Sequence, residues 1–234
     1  MLPSRIIPRL VPRLVPRLSG YSKQLQSMAT VSRKFDSPAL FICDIQENFR
    51  PAISTFPHII ATTQKLLTFA RLLKIPVIAT TQLRAKLGPT CAELNLPESP
   101  SKRPSDLLLA VHADKTRFSM YTEEVQAATF EYGKMQVALV GIEAHICVSQ
   151  TALDLQRAGH AVSVIADGVG SVNGGEVRVA LDRLRAAGVT VTTSESWMYE
   201  CMGDAEIKQF REVSKLVKES KEATRKAVEA LCGS

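Results

Sequence analysis

Short apolar runs alternate along this chain with longer segments whose apolar side chains recur at helical spacing. The run "PALFICD" (38–44) ends on a carboxylate and has the pattern of a buried strand. After the polar loop "IQENFRPA", Ile60, Leu66, Leu67, Ala70 and Leu73 mark one face of a helix over 57–74. "IPVIATTQ" (75–82), "MQVALVG" (135–141), "AVSVIAD" (161–167) and "VTVTTSES" (189–196) predict further strands. Helices are predicted over "YTEEVQAATFEYG", with Thr122 as N-cap and Gly133 beyond its end, from Cys147 to Arg157, and over "GEVRVALDRLRAAG" (175–188). "DLLLAVHADKTRFSM" is ambiguous by pattern and includes a short strand-like stretch before Lys115. Pro89, Pro97, Pro100 and Pro104 make 83–106 a long irregular excursion, a kind of segment that often carries function. From Asp204 a long polar helical tail is predicted.

Strands thus alternate with helices, and each crossover is long enough for a parallel βαβ unit. The fold class expected is α/β: a three-layer α/β/α arrangement with a mostly parallel sheet. Ligands in such folds collect at the carboxyl ends of the strands, where both Asp44 and Cys147 fall. A length of 234 residues suits one sizeable domain. The organisation expected is an arm over 1–33, the domain over 34–206 and the helical tail over 207–234.

Charge sharpens the view of the arm. The net charge of +6 arises from the N-terminal region, which has basic residues but no acid before Asp36; the remainder is close to neutral. No nucleic-acid-binding face is therefore expected. The arm contains the tandem "IPRL", "VPRL", "VPRL". Its basic, acid-free composition is that of an organelle presequence, although prolines every four residues oppose the helix such a peptide usually forms. Mitochondrial targeting and a disordered extension on a cytoplasmic protein both fit, and Met28 offers a start that omits the arm. No apolar run reaches the length of a membrane span. The five cysteines show neither paired spacing nor a zinc pattern, so free thiols in a reducing compartment are expected.

The reactive residues each carry two readings. Cys147 is either a small buried hydrophobe or a thiol activated by the N–H groups and dipole at a helix start. Asp44 is either a loop carboxylate or a charge kept at a polar cleft. Lys115 reads by default as a solvated lysine, and Cys43, preceding Asp44 on a strand, as a core residue on the opposite face. Cys91, Cys201 and Cys232 have no partner pattern. His58, His112, His145 and His160 show no metal spacing, and His145 stands near enough to Cys147 for a Cys–His couple to be considered.

Taken together, "LFICDIQENF", "KTRFSM", "LVGIEAHICVSQTALDL" and "VIADGVGS" resemble the isochorismatase-like (cysteine hydrolase) family over roughly 37–206. "TTQLRAKLGPTCAEL" and "TTSESWMYECMGDAEIKQF" resemble the isochorismatase domain-containing protein 1/2 group within it. The resemblance implies a Rossmann-like or flavodoxin-like fold and an Asp–Lys–Cys triad, matched here by Asp44, Lys115 and Cys147. It implies that Asp44 takes the thiol proton, Lys115 orients Asp44, and the Cys147 thiolate attacks a carbonyl to give a thioester. It also implies a non-proline cis peptide between Ile142 and Glu143 that turns the Glu143 and Cys147 N–H groups toward an oxyanion. The D-x-H metal motif of family nicotinamidases is missing from "TTQLRAKLGPT", so no metal and no cofactor are expected. The expected function is metal-independent hydrolysis of a small amide or related carbonyl substrate by a homo-oligomer. The rival readings are a catalytically weak binding or scaffold protein, which the charged helical tail could serve, and a nuclease, suggested only by the basic arm.

Overall fold

The computed structural model describes residues 35–97, 100 and 107–233. The arm expected over 1–33 and part of the 83–106 excursion lie outside the described residues. In chain order the elements are β1 (Pro38–Cys43), α1 (Phe56–Leu73), β2 (Val77–Gln82), α2 (Arg84–Leu87), β3 (Leu109–Lys115) and α3 (Glu123–Thr129). These are followed by β4 (Gln136–Ile142), α4 (Ser149–Arg157), β5 (Ala161–Gly170), α5 (Gly174–Ala186), β6 (Thr190–Thr192) and α6 (Ser194–Met202). Two further helices close the chain, α7 (Phe210–Glu219) and α8 (Lys221–Cys232).

The strands form one parallel sheet in the order β3-β2-β1-β4-β5-β6. Period-two alternation divides the side chains of β1 between two cores. Leu40 and Ile42 pack with α1, α6 and α7 through residues such as Ile59, Leu66, Trp197 and Val213. Ala39, Phe41 and Cys43 pack on the other face with α3, α4 and α5 through Val125, Leu155 and Leu184. The three-layer α/β/α expectation is met.

Chain order places the site. From β1 the sheet grows outward to β2 and β3, then the chain returns to β4 on the other side of β1. The carboxyl ends of β1 and β4 therefore flank a topological switch point, where open parallel sheets leave a crevice.

Local differences from the sequence pattern have local causes. The strand expected over 189–196 ends at Thr192. Thr193 caps α6 by accepting a hydrogen bond from the Ser196 N–H, and Glu195 favours the positive end of that helix. Thr122 caps α3 as expected, accepting from the Val125 N–H. β5 runs on to Gly170, three residues past its expected end at Asp167. The polar tail from Asp204 is two helices that bury Val213 and Ala227, with Phe210, Leu216 and Leu231 packed against the α1 side of the core. Among the described residues, no helix is long and apolar enough to cross a membrane.

Candidate active site

Asp44 follows β1 directly and adopts a left-handed backbone, φ 54°. That conformation turns the chain off the strand, and the carboxylate stays buried at 1% exposure. Burial of an anion requires partners. Lys115, the last residue of β3, supplies the first: its Nζ lies 2.7 Å from Asp44 Oδ2, with both side chains nearly inaccessible. Thr80 donates its hydroxyl to Asp44 Oδ1 at 2.8 Å. The Cys43 thiol donates to Oδ2 at 3.5 Å.

Cys147 is reached from β4. The peptide bond between Ile142 and Glu143 is cis, and residues Ala144–Val148 form a π-helical turn that leads into α4. Cys147 therefore sits inside a π turn that begins three residues earlier, rather than in the first turn of an ordinary helix. Val148 N–H donates to the Glu143 carbonyl at 3.2 Å, and the buried Ser149 hydroxyl donates to the Ala144 carbonyl at 2.7 Å. The Glu143 carboxylate accepts from Val172 N–H at 2.9 Å, tying the turn to the segment after β5. Cys147 is buried, in the same core cluster as Cys43.

Cys43 links the two halves. Burial pushes its thiol well up from the ordinary cysteine value; a hydrogen bond with Cys147 and the Asp44 charge push in the same direction. It is thus held as a neutral thiol, hydrogen-bonded to Asp44 and in the core cluster that also holds Cys147. Cys43 is a core residue as expected, but strand alternation had placed its side chain away from Asp44. The left-handed turn at Asp44 breaks that alternation. Gln82 is a second residue that sequence reasoning missed; its Oε1 accepts from Lys115 Nζ at 2.7 Å.

The lysine segment and the cysteine helix are joined directly, since Met120 N–H donates to Thr151 Oγ1 at 2.9 Å. His145 does not form the Cys–His couple: its Nδ1 pairs with Ser171 Oγ at 3.0 Å. Asp167, in "VIADGVGS", is fully buried and accepts from both the N–H and the hydroxyl of Ser194, so it anchors α6 to β5.

One cluster has the donor set of a metal site. Glu47, Cys91 and Glu93 bring ligand atoms within 4.8 Å of one another. Arg50 already bridges both carboxylates, at 3.0 Å from Glu47 and 2.9 Å from Glu93. Burial, with Glu47's charge adding to it, pushes the Cys91 thiol up to about 12. Carboxylates already clamped by a guanidinium beside a protonated thiol make a poor cation site.

An isochorismatase domain model matches residues 38–196, the stretch that spans all six strands. The chain belongs to the isochorismatase family. Isochorismatase domain-containing protein 1 of Salmo salar is 41% identical over 181 residues, covering 77% of this chain and 60% of that protein. The chain thus spans less than two thirds of that relative's length. The structure of the MAR1 ribonuclease from Caenorhabditis elegans is 37% identical, with a TM-score of 0.69 over 78% of this chain and 90% of that one. YcaC from Escherichia coli, described as an octameric hydrolase of unknown specificity, shares the isochorismatase fold at 20% identity. Its TM-score is 0.67, over 83% of this chain and 93% of that one.

Proposed function

We propose that this isochorismatase-family protein is a metal-independent cysteine hydrolase of a small amide or related carbonyl compound. The observation that carries the reading is the buried Lys115–Asp44 pair at 2.7 Å, set at the switch point that β4 and Cys147 complete. The thiol proton of Cys147 passes to Asp44, and Sγ attacks the substrate carbonyl carbon. The oxyanion that forms is stabilised by the N–H groups of Glu143 and Cys147, with Ile142 fixing the direction of the turn. Collapse of the adduct breaks the C–N bond, and Asp44 returns the proton to the leaving amine. Water, deprotonated by Asp44, then hydrolyses the thioester and frees Cys147. Lys115 remains the counter-charge throughout.

The test is turnover of a small-amide panel with mass detection of the acyl-enzyme. Cys147→Ala is expected to abolish the adduct and lower activity by about a thousandfold or more, and Asp44→Asn to do nearly the same. Full activity in Cys147→Ala refutes the assignment.

The 37% identity to a structure described as a ribonuclease favours a second reading, hydrolysis of RNA. RNA incubated with the same preparation decides between them: degradation that survives in Cys147→Ala separates any nuclease activity from the thiol. Assembly as a homo-oligomer belongs to the proposal, supported by the octameric YcaC with the same fold, and sedimentation equilibrium reads it. For the basic arm, mitochondrial import stands against cytoplasmic residence; a fluorescent fusion with and without residues 1–27 distinguishes them.

A further inference from the structure

Gln82 is the last residue of β2 and lies in register with Lys115 on β3. Four acceptors surround the Lys115 ammonium. Asp44 Oδ2 and Gln82 Oε1 stand at 2.7 Å, and the carbonyls of Arg117 and Phe118 at 3.1 Å. An ammonium has three protons. The two short bonds take one each, and the two adjacent carbonyls share the third at longer range. Nothing is left to donate to a substrate.

The carboxamide of Gln82 has one workable orientation. Its Nε2 donates to the Thr116 carbonyl at 2.9 Å, so a flip would set an NH₂ group against the ammonium. Its main chain is fixed as well. Gln46 Oε1 accepts from Gln82 N–H at 2.7 Å, and Gln46 Nε2 donates to the Gln82 carbonyl at 3.1 Å. Both glutamines are buried.

We infer that Gln82 is a positioning residue: a neutral acceptor that saturates Lys115, keeps it as the counter-charge of Asp44 and withholds it from substrate. Neutrality is the essential property. One ammonium, one carboxylate and two thiols sum to zero charge. They still do after a proton has moved from Cys147 to Asp44. A carboxylate in place of the Gln82 amide would leave one negative charge in excess and oppose the Cys147 thiolate. The inference rests on the catalytic reading of Asp44, Lys115 and Cys147, but its tests observe the thiol and the ammonium without a substrate.

Two variants of the full chain carry those tests. Gln82→Glu keeps the shape and adds charge, whereas Gln82→Met keeps the volume and removes the strong acceptor. Iodoacetamide alkylation of Cys147, followed at pH 7 by mass spectrometry of its peptide, is expected to be at least about tenfold slower in Gln82→Glu than in wild type. The Lys115 ammonium should give a slowly exchanging ζ-¹⁵N signal in wild type, identified by its absence in Lys115→Arg, and lose it to exchange in Gln82→Met. Wild-type alkylation in a folded Gln82→Glu overturns the inference, as does an unchanged ammonium signal in Gln82→Met. If circular dichroism shows Gln82→Glu unfolded, the Gln82→Met signal decides alone. Failure of the hydrolase reading looks different: Cys147→Ala keeps its activity while both Gln82 results stand.

Discussion

At the scale of residues, one backbone conformation organises the site. A left-handed φ costs a non-glycine residue about 1–2 kcal/mol, and Asp44 adopts one at 54°. In return its carboxylate meets Lys115, Thr80 and Cys43 together, a convergence that straight strand alternation forbids. Each partner then has its own consequence. Thr80 is 1% exposed and supplies the hydroxyl donor to Asp44 Oδ1. Thr80→Val keeps the shape and deletes that donor, leaving a buried carboxylate oxygen short of a bond. The expected cost is about 1–3 kcal/mol, read as a lower urea midpoint with an unchanged slope. Equal midpoints for the variant and wild type would show that water or a neighbour satisfies Oδ1 instead. Sequence reasoning reached Asp44 and Cys147 by their position at strand ends. Lys115 needed the motif "KTRFSM", because a lysine after an edge strand reads as solvated until its partner is known. Thr80, Gln82 and Cys43 stayed hidden, since their roles depend on β2 and β3 lying beside β1 in register. The available signal was the polar ending "TTQ" on an otherwise apolar run.

At the scale of elements, close strand approach sets the limits. Gly141 on β4 lies opposite Cys43 with φ 128°, and a Cβ there would fall 2.0 Å from the Cys43 carbonyl oxygen. The neighbour is backbone and cannot swing aside. Gly141→Ala is therefore expected to lose about 3 kcal/mol or more and to fall largely into the insoluble fraction; a soluble variant with wild-type melting would refute the close approach. Most elements were legible because their periodicity is strong, as in α1, where Phe56, Ile59, Ile60, Leu66, Leu67 and Ala70 are all buried. The segment 189–196 was not, because β-branched threonines suit a strand while Thr193 makes a better cap. The C-terminal helices hid a different contact. Lys65 on α1 is buried and donates to Thr224 Oγ1 on α8 at 2.8 Å. Burial holds its ammonium below the ordinary lysine range, with Asp167 and Glu195 opposing that shift. A lysine with a depressed folded value costs stability at neutral pH, and the cost is relieved as pH rises toward about 10.4. Lys65→Met is expected to raise the melting temperature at pH 7 by about 2–4 °C, a gain that shrinks toward pH 10. A fall at pH 7 would mean that the Thr224 bond outweighs the desolvation.

At the scale of the whole molecule, His160 joins segments that lie apart in sequence and makes their union sensitive to acid. Its Nδ1 accepts from Met135 N–H, just before β4, at 3.2 Å. The neutral ring therefore carries its proton on Nε2, which faces the Tyr121 hydroxyl at 3.2 Å. The two rings meet edge to face with centroids 5.6 Å apart. Protonation of Nδ1 would displace the Met135 bond and add a cation to a site where burial, and then the Lys134 charge, already hold the imidazole below its ordinary value. The unfolded chain takes up that proton near pH 6.5. Below that pH the unfolded state binds more protons than the folded one, so stability falls with pH until the folded imidazole titrates as well. The contribution of His160 to the melting temperature should therefore be constant above about pH 7 and decline between about pH 6.5 and 5. His160→Gln is expected to melt lower at pH 7, where the Met135 and Tyr121 contacts are weakened, yet to show little slope from pH 7 to 5. A slope in the variant as steep as in wild type would assign the acid sensitivity to another group, leaving His160 as a clamp between Met135 and Tyr121 without a titrating role.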